Sequence, residues 1–260
     1  MTLLPAPPPA LISLSSFGAD AVRREGQRHY VELAADAGAD GVEVRGELLL
    51  DGTAELAAIG ACARDRGLAL VYSSPDGLWD AAQRFDADAL ERGLRSAHAL
   101  GARRLKMSIG GFAPGQAAGL AALSRAVAGQ PIGLVIENDQ TASAGTLPAL
   151  QAFLDEARQL GLDLGLTFDM GNWHWTGEDP LAAASALAPQ VAYVHCKGVQ
   201  RQPQRWVAVP MAESAAPWRA VLRRLPADAP RAIEYPLQGD DLVGVVRQQL
   251  ALLRETEVAR

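Results

Sequence analysis

Cysteine is almost missing from this 260-residue chain: only Cys62 and Cys196 occur, far apart and in no metal-type spacing. A disulfide framework and a zinc knuckle are excluded on that count, and both thiols are expected to be reduced, as in a cytoplasmic protein. Histidine is scarce, with four residues, and aromatic residues make up 5%. Basic charge is not in excess either. The 24 Lys+Arg against 30 Asp+Glu leave a net charge of −6, the wrong sign for a nucleic-acid footprint or an anionic membrane surface. No apolar run approaches the roughly 20 residues that a bilayer-spanning helix needs. Met1–Ala10 has no basic start and carries Pro5, Pro7, Pro8 and Pro9 where an apolar signal helix would run. It is expected to be a loose lead-in to a soluble protein.

What is present is core material. Hydrophobic residues reach 49% and charged residues 21%, enough for a globular core without staples and with a small molecule as the default partner. From Leu11 onward short β-like runs alternate with amphipathic helical patterns. The runs are Leu11–Ser16, Gly41–Arg45, Leu68–Ser73, Arg104–Ile109, Ile132–Glu137, Leu162–Asp169, Val191–Cys196 and Arg231–Tyr235. Between them Arg23–Ala37, Ala54–Arg66, Ala87–Leu100 and Leu147–Leu160 have helical periodicity, with Gly38, Gly67, Gly101 and Gly161 as C-terminal stops. Eight such units in about 250 residues predict a single (β/α)₈ barrel over 11–260. A doubly wound open sheet would show a glycine-rich phosphate turn after its first strand, and Ser15-Ser16-Phe17-Gly18 is not one.

Alternate residues of a barrel strand point inward. Val42 and Val44 then face the helices, which turns Glu43 and Arg45 inward, and the same phase turns in Lys106, Ser108, Glu137, Thr167, Asp169, His195 and Glu234. Glu137, Asp169, His195 and Glu234 end four consecutive strands, one βα repeat apart, at the C-terminal mouth where barrel enzymes do chemistry. A lone strand-end carboxylate is more often a cap or a salt-bridge partner. Four converging groups are different, because isolated buried charges cost several kcal/mol or more. One divalent cation resolves them, and an oxygen-rich set with one nitrogen suits Mn²⁺, Mg²⁺ or Co²⁺, with Zn²⁺ admissible. Such an ion on a carbonyl and its neighbouring hydroxyl acidifies the intervening C–H by stabilising an enediolate. Glu137 is the candidate that removes the proton and Glu234 the one that returns it.

Val42-Glu43-Val44, Ile136-Glu137-Asn138, Phe168-Asp169-Met170-Gly171-Asn172, Val194-His195-Cys196-Lys197 and Ile233-Glu234-Tyr235 together resemble the xylose-isomerase-like TIM-barrel superfamily, the sugar phosphate isomerase/epimerase group. The resemblance spans the chain from Leu11. In its ketose 3-epimerase branch it implies that Glu137, Asp169, His195 and Glu234 bind the metal and that the two glutamates move the proton. It implies a substrate contact for Arg201, six residues after the metal histidine. A histidine usual three residues after the metal aspartate is here Asn172, with His174 two further on, and both are carried as substrate-binding candidates. Inosose dehydratases and 3-dehydroshikimate dehydratases share the metal set.

The expectation is a metal-dependent isomerase or epimerase of a ketose or related polyol, and the alternative is a dehydratase of an inosose or dehydroshikimate-like substrate. Lys106, Lys197 and Glu43 are further substrate-binding candidates, although the lysines could equally balance the carboxylates. Arg45 reads as a structural ion-pair partner. Trp173, Trp175 and Trp206 could wall the pocket or fill a helix–barrel seam. His29 and His98 lie in helical patterns as surface or packing residues. A DNA-repair endonuclease on this barrel is disfavoured by the few histidines and the negative charge, a non-catalytic sugar-binding barrel stays open, and a homodimer is admissible.

Overall fold

Runs rich in Val, Ile and Leu, too short for helices and bounded by glycine, pair side by side as parallel strands buried on both faces. In the computed structural model, which describes residues 7–255, they close into a barrel. Its strands are β1 (Ala10–Ser13), β2 (Gly41–Arg45), β3 (Ala69–Trp79), β4 (Arg104–Gly110), β5 (Gly133–Glu137), β6 (Gly165–Asp169), β7 (Val191–Cys196) and β10 (Arg231–Ile233). Their order around the barrel is β1-β10-β7-β6-β5-β4-β3-β2, with every neighbouring pair parallel. The principal outer helices are α1 (Ala19–Glu25), α2 (Gln27–Asp36), α3 (Gly52–Asp65), α4 (Ala87–Leu100), α5 (Ala117–Val127) and α6 (Leu147–Gln159), then, after the short α7 (Trp173–Thr176), α8 (Pro180–Leu187), α9 (Trp218–Leu222) and α10 (Leu242–Glu255). This is the (β/α)₈ barrel that the sequence predicts. Among the described residues no helix is long and apolar enough to cross a membrane. Of the lead-in expected over residues 1–10, residues 1–6 lie outside the described ones.

Several bounds differ from expectation for local reasons. The helix expected over Arg23–Ala37 is two helices, because Gly26 sits at φ 79 between them, a conformation that glycine adopts without steric cost. The third strand runs past Ser73 to Trp79 through a register shift between Ser73 and Gly77. Pro75 lies inside that irregularity, where a missing N–H does no harm. The first strand stops at Ser13 and turns into a 3-10 segment, Leu14–Phe17. A hairpin not expected at all, β8 (Gly198–Arg201) with β9 (Trp206–Val209), pairs antiparallel after β7.

Strand alternation divides the interior in two. Val42, Val44, Leu105, Met107, Ile136 and Phe168 turn outward and are buried under the helices, each contributing about 1.5–3 kcal/mol. Inside the barrel a small apolar plug of Leu11, Val71, Tyr193 and Ala232 fills the lower layer. One step further along the strands the inward positions are charged: Glu43, Lys106, Asp169 and His195 are all buried.

Candidate metal centre

Register carries the charged groups to one end. Asp169 pairs with His195 across β6 and β7, and Glu137 pairs with Thr167 across β5 and β6. Glu234 lies one residue past β10, and its N–H still donates to the Cys196 carbonyl at 3.0 Å, which keeps it in line with the ladder. One ligand atom from each of Glu137, Asp169, His195 and Glu234 lies within 4.8 Å of the others.

The imidazole of His195 is the hub. Its Nδ1 faces Glu137 Oε1 at 2.9 Å, Glu234 Oε2 at 3.1 Å and Asp169 Oδ2 at 3.6 Å, yet it makes no hydrogen bond. Asp169 Oδ2 makes none either, although Lys197 Nζ stands 2.7 Å away. On the other side of the ring Nε2 meets Glu43 Oε2 at 2.7 Å. Lys106 Nζ sits 2.8 Å from Glu137 and 3.3 Å from Glu43. Lys197 Nζ is 2.8 Å from Glu234, and Arg45 is 2.6 Å from Glu234 and 3.2 Å from Glu43.

The backbone fixes Asp169 more tightly than any other member. Its Oδ1 accepts from the N–H groups of Gly171 and Asn172 at 2.8 and 2.9 Å. Asn138 spans β5 and β6, accepting from the Asp169 N–H at 2.7 Å and donating to the Asp169 carbonyl at 3.0 Å. Asn172 in turn donates to the Asn138 carbonyl at 2.8 Å. Gly171 is required by close approach, since a Cβ there would lie 2.5 Å from Cγ of Lys197.

Burial pushes every carboxyl here upward, and partners decide the outcome. For Glu43 the opposing His195, Lys106 and Arg45 win and hold it below the usual range. Glu137 is lowered against burial by Lys106 and His195, and Glu234 is held well below by His195, Lys197 and Arg45. Asp169 stays raised, because burial outweighs Lys197. Burial lowers His195, but Glu234 and Glu43 raise it well above its ordinary value.

The donor set fits a divalent ion. Three carboxylates around Nδ1 make a field that favours a cation there, and donors at right angles around an ion at ~2.1–2.3 Å are about 3 Å apart. The measured separations of 2.9, 3.1 and 3.6 Å around Nδ1 match. Three carboxylates with one imidazole suit Mn²⁺, Mg²⁺ or Co²⁺, and Zn²⁺ can use them.

The other sequence candidates divide. Glu43 and Lys106, expected at the substrate, have essentially no exposed side chain and lie against His195 and Glu137. Lys197 and Asn172 are buried next to the ligands, and Lys197 Nζ donates to Asn172 Oδ1 at 3.2 Å. His174 is half-buried and packs on Trp206, centroids 4.8 Å apart. Arg201 is exposed on the hairpin, its guanidinium 5.4 Å from the Trp206 ring. Trp173 is a seam residue, buried against Phe168. His29 and His98 are exposed on α2 and α4. A cavity of about 230 Å³ opens beside Glu234, lined also by Phe17, Tyr235, Gln238 and Ala208 of the hairpin. Sequence reading missed Asn138 as the clamp on Asp169; its place directly after Glu137 was the available signal.

The chain is thus a parallel (β/α)₈ barrel whose C-terminal mouth gathers three carboxylates and a histidine that could hold a metal ion. The family model "Xylose isomerase-like TIM barrel" matches residues 31–256, and the chain belongs to that family. No curated protein sequence matches significantly. Among solved structures, a xylose isomerase domain containing protein from Salmonella typhimurium LT2 is 14% identical, with a TM-score of 0.69 over 96% of this chain and 97% of that one. The probable 3-DHS dehydratase AsbF from Bacillus anthracis is 16% identical, TM-score 0.68, over 94% and 98%. A D-psicose 3-epimerase is 18% identical, TM-score 0.66, over 95% and 99%. At these identities the likeness shows the fold.

Proposed function

We propose that this chain is a divalent-metal-dependent isomerase or epimerase acting on a ketose or related polyol. The observation that carries the proposal is the unequal exposure of the four ligands. Glu137 and Glu234 keep 16% and 14% of their side-chain surface, whereas Asp169 and His195 keep none. Two members of the set only hold, and two also reach the substrate space. When bound, the ion supplies Lewis-acid stabilisation to a carbonyl and an adjoining hydroxyl oxygen. Glu137 removes the proton from the hydroxyl-bearing carbon next to the carbonyl, and Lys106 keeps its carboxylate ionised for that task. Glu234 faces the other side as a carboxylate, and the Lys197 ammonium 2.8 Å away is the source of the proton that it relays back to the carbon. Asn172 and Lys197 offer polar contacts to the substrate oxygens, while Arg201 and His174, both packed on Trp206, line the outer approach.

A specific contact favours one second reading. Lys197 Nζ lies 2.8 Å from Glu234, so that pair could protonate a departing β-hydroxyl, as a dehydratase requires. A panel of ketoses, inososes and dehydroshikimate in D₂O separates the two. Metal-dependent deuterium incorporation without loss of water supports the epimerase, and an absorbing enone product supports the lyase.

A further inference from the structure

The geometry points to Glu43 as the positioning residue that decides which nitrogen of His195 meets the metal. This rests on the metal reading above and concerns a residue that cannot touch the substrate.

Glu43 is 0% exposed, and both its oxygens are engaged. Oε2 lies 2.7 Å from His195 Nε2. Oε1 takes a long bond from Ser13 Oγ at 3.4 Å and faces Arg45 at 3.2 Å and Lys106 at 3.3 Å. A carboxylate with two cations and a hydroxyl around it accepts and does not donate, so the proton between it and the imidazole resides on Nε2. The neutral ring then has its lone pair on Nδ1, directed at Glu137, Asp169 and Glu234. That arrangement is repulsive unless a cation lies among them.

Tyr193, two residues back on the same strand, supports the ring from below, edge-on with centroids 5.3 Å apart. The ring cannot turn over without breaking the Glu43 bond inside a packed layer. Lys106 adds a second link, since one ammonium bridges Glu43 and the ligand Glu137. A carboxylate behind a metal histidine fixes tautomer and orientation, and its loss typically costs 10–100-fold in metal affinity.

The test uses the full chain with ¹⁵N-labelled histidine, stripped of metal and then titrated with Zn²⁺. With four histidines, the spectrum is assignable through His29→Ala, His98→Ala and His174→Ala. The expected result is stoichiometric Zn²⁺ binding, with His195 protonated at Nε2 and ligated through Nδ1. Glu43→Gln and Glu43→Asp should weaken Zn²⁺ binding by 10–100-fold while the far-UV circular dichroism is unchanged. If wild type binds no Zn²⁺, the metal reading fails and this inference with it. If wild type binds but His195 ligates through Nε2, or if both folded variants bind as tightly as wild type, the metal centre stands and the role of Glu43 is wrong. Should the variants not fold, the wild-type spectrum decides alone.

Discussion

Replacing Glu234 by Gln is the perturbation that most directly tests two-carboxylate proton transfer. The variant is expected to fold. Lys197 keeps Asp169 at 2.7 Å, and Arg45 keeps Glu43 at 3.2 Å and Glu47 at 2.8 Å, so neither cation is orphaned. The stability cost should then be that of one charged hydrogen bond, about 1.5–3 kcal/mol, below the 3–5 kcal/mol that follows when a buried charge loses its only partner. The amide can still coordinate weakly but cannot carry the proton. The expected loss is on kcat, about 10²–10⁴-fold, which is roughly 2.7–5.4 kcal/mol of barrier. The assay is metal-saturated enzyme in D₂O, following substrate C–H exchange by NMR and epimer by chromatography. Glu137→Gln should stop both. Glu234→Gln should leave exchange at the Glu137 face while epimer formation stops. If both metal-saturated variants turn over at near wild-type kcat, these glutamates are ligands only and the mechanism is refuted.

Other outcomes follow from the same geometry. His195→Ala should lose metal content and activity together, whereas His98→Ala, exposed on α4, should change neither; metal analysis and turnover check both. Arg201→Ala should raise KM about tenfold or more, with metal content intact, and unchanged steady-state kinetics would remove Arg201 from the substrate site. The pH dependence of metal affinity is set by the raised His195: below its folded value a proton must leave before the ion binds. Apparent Mn²⁺ affinity, read by EPR titration, should therefore rise with pH above 6.5, and a flat profile would remove His195 from the coordination shell. Gly171→Ala, whose new Cβ would push on Lys197, should shift Lys197 off Asp169 and lower kcat while the fold persists.

The sequence by itself determined the barrel, because period-2 alternation and a helical period are local properties of neighbouring residues. Gly38, Gly67, Gly101 and Gly161, expected as helix stops, all have positive φ, since a left-handed residue with no Cβ ends a helix wherever it falls. The same alternation turned Glu137, Asp169, His195 and Glu234 into one interior, and counting repeats put them at one end. Tertiary structure alone decided what depends on reach and closure. Glu43 meets His195 only because the barrel closes β2 back towards β7 through β1 and β10, a contact that no spacing along the chain encodes. The hairpin β8–β9 was illegible for a related reason: its short strands are half-exposed and follow β7 directly, so their alternation merges with that of the barrel strand, and it is the contacts of Trp206 with His174 and Arg201 that show where it folds. Depth was decided last. Which of the four side chains are sealed and which touch solvent depends on the plug below and the loops above, and the roles proposed for the two glutamates rest on that difference.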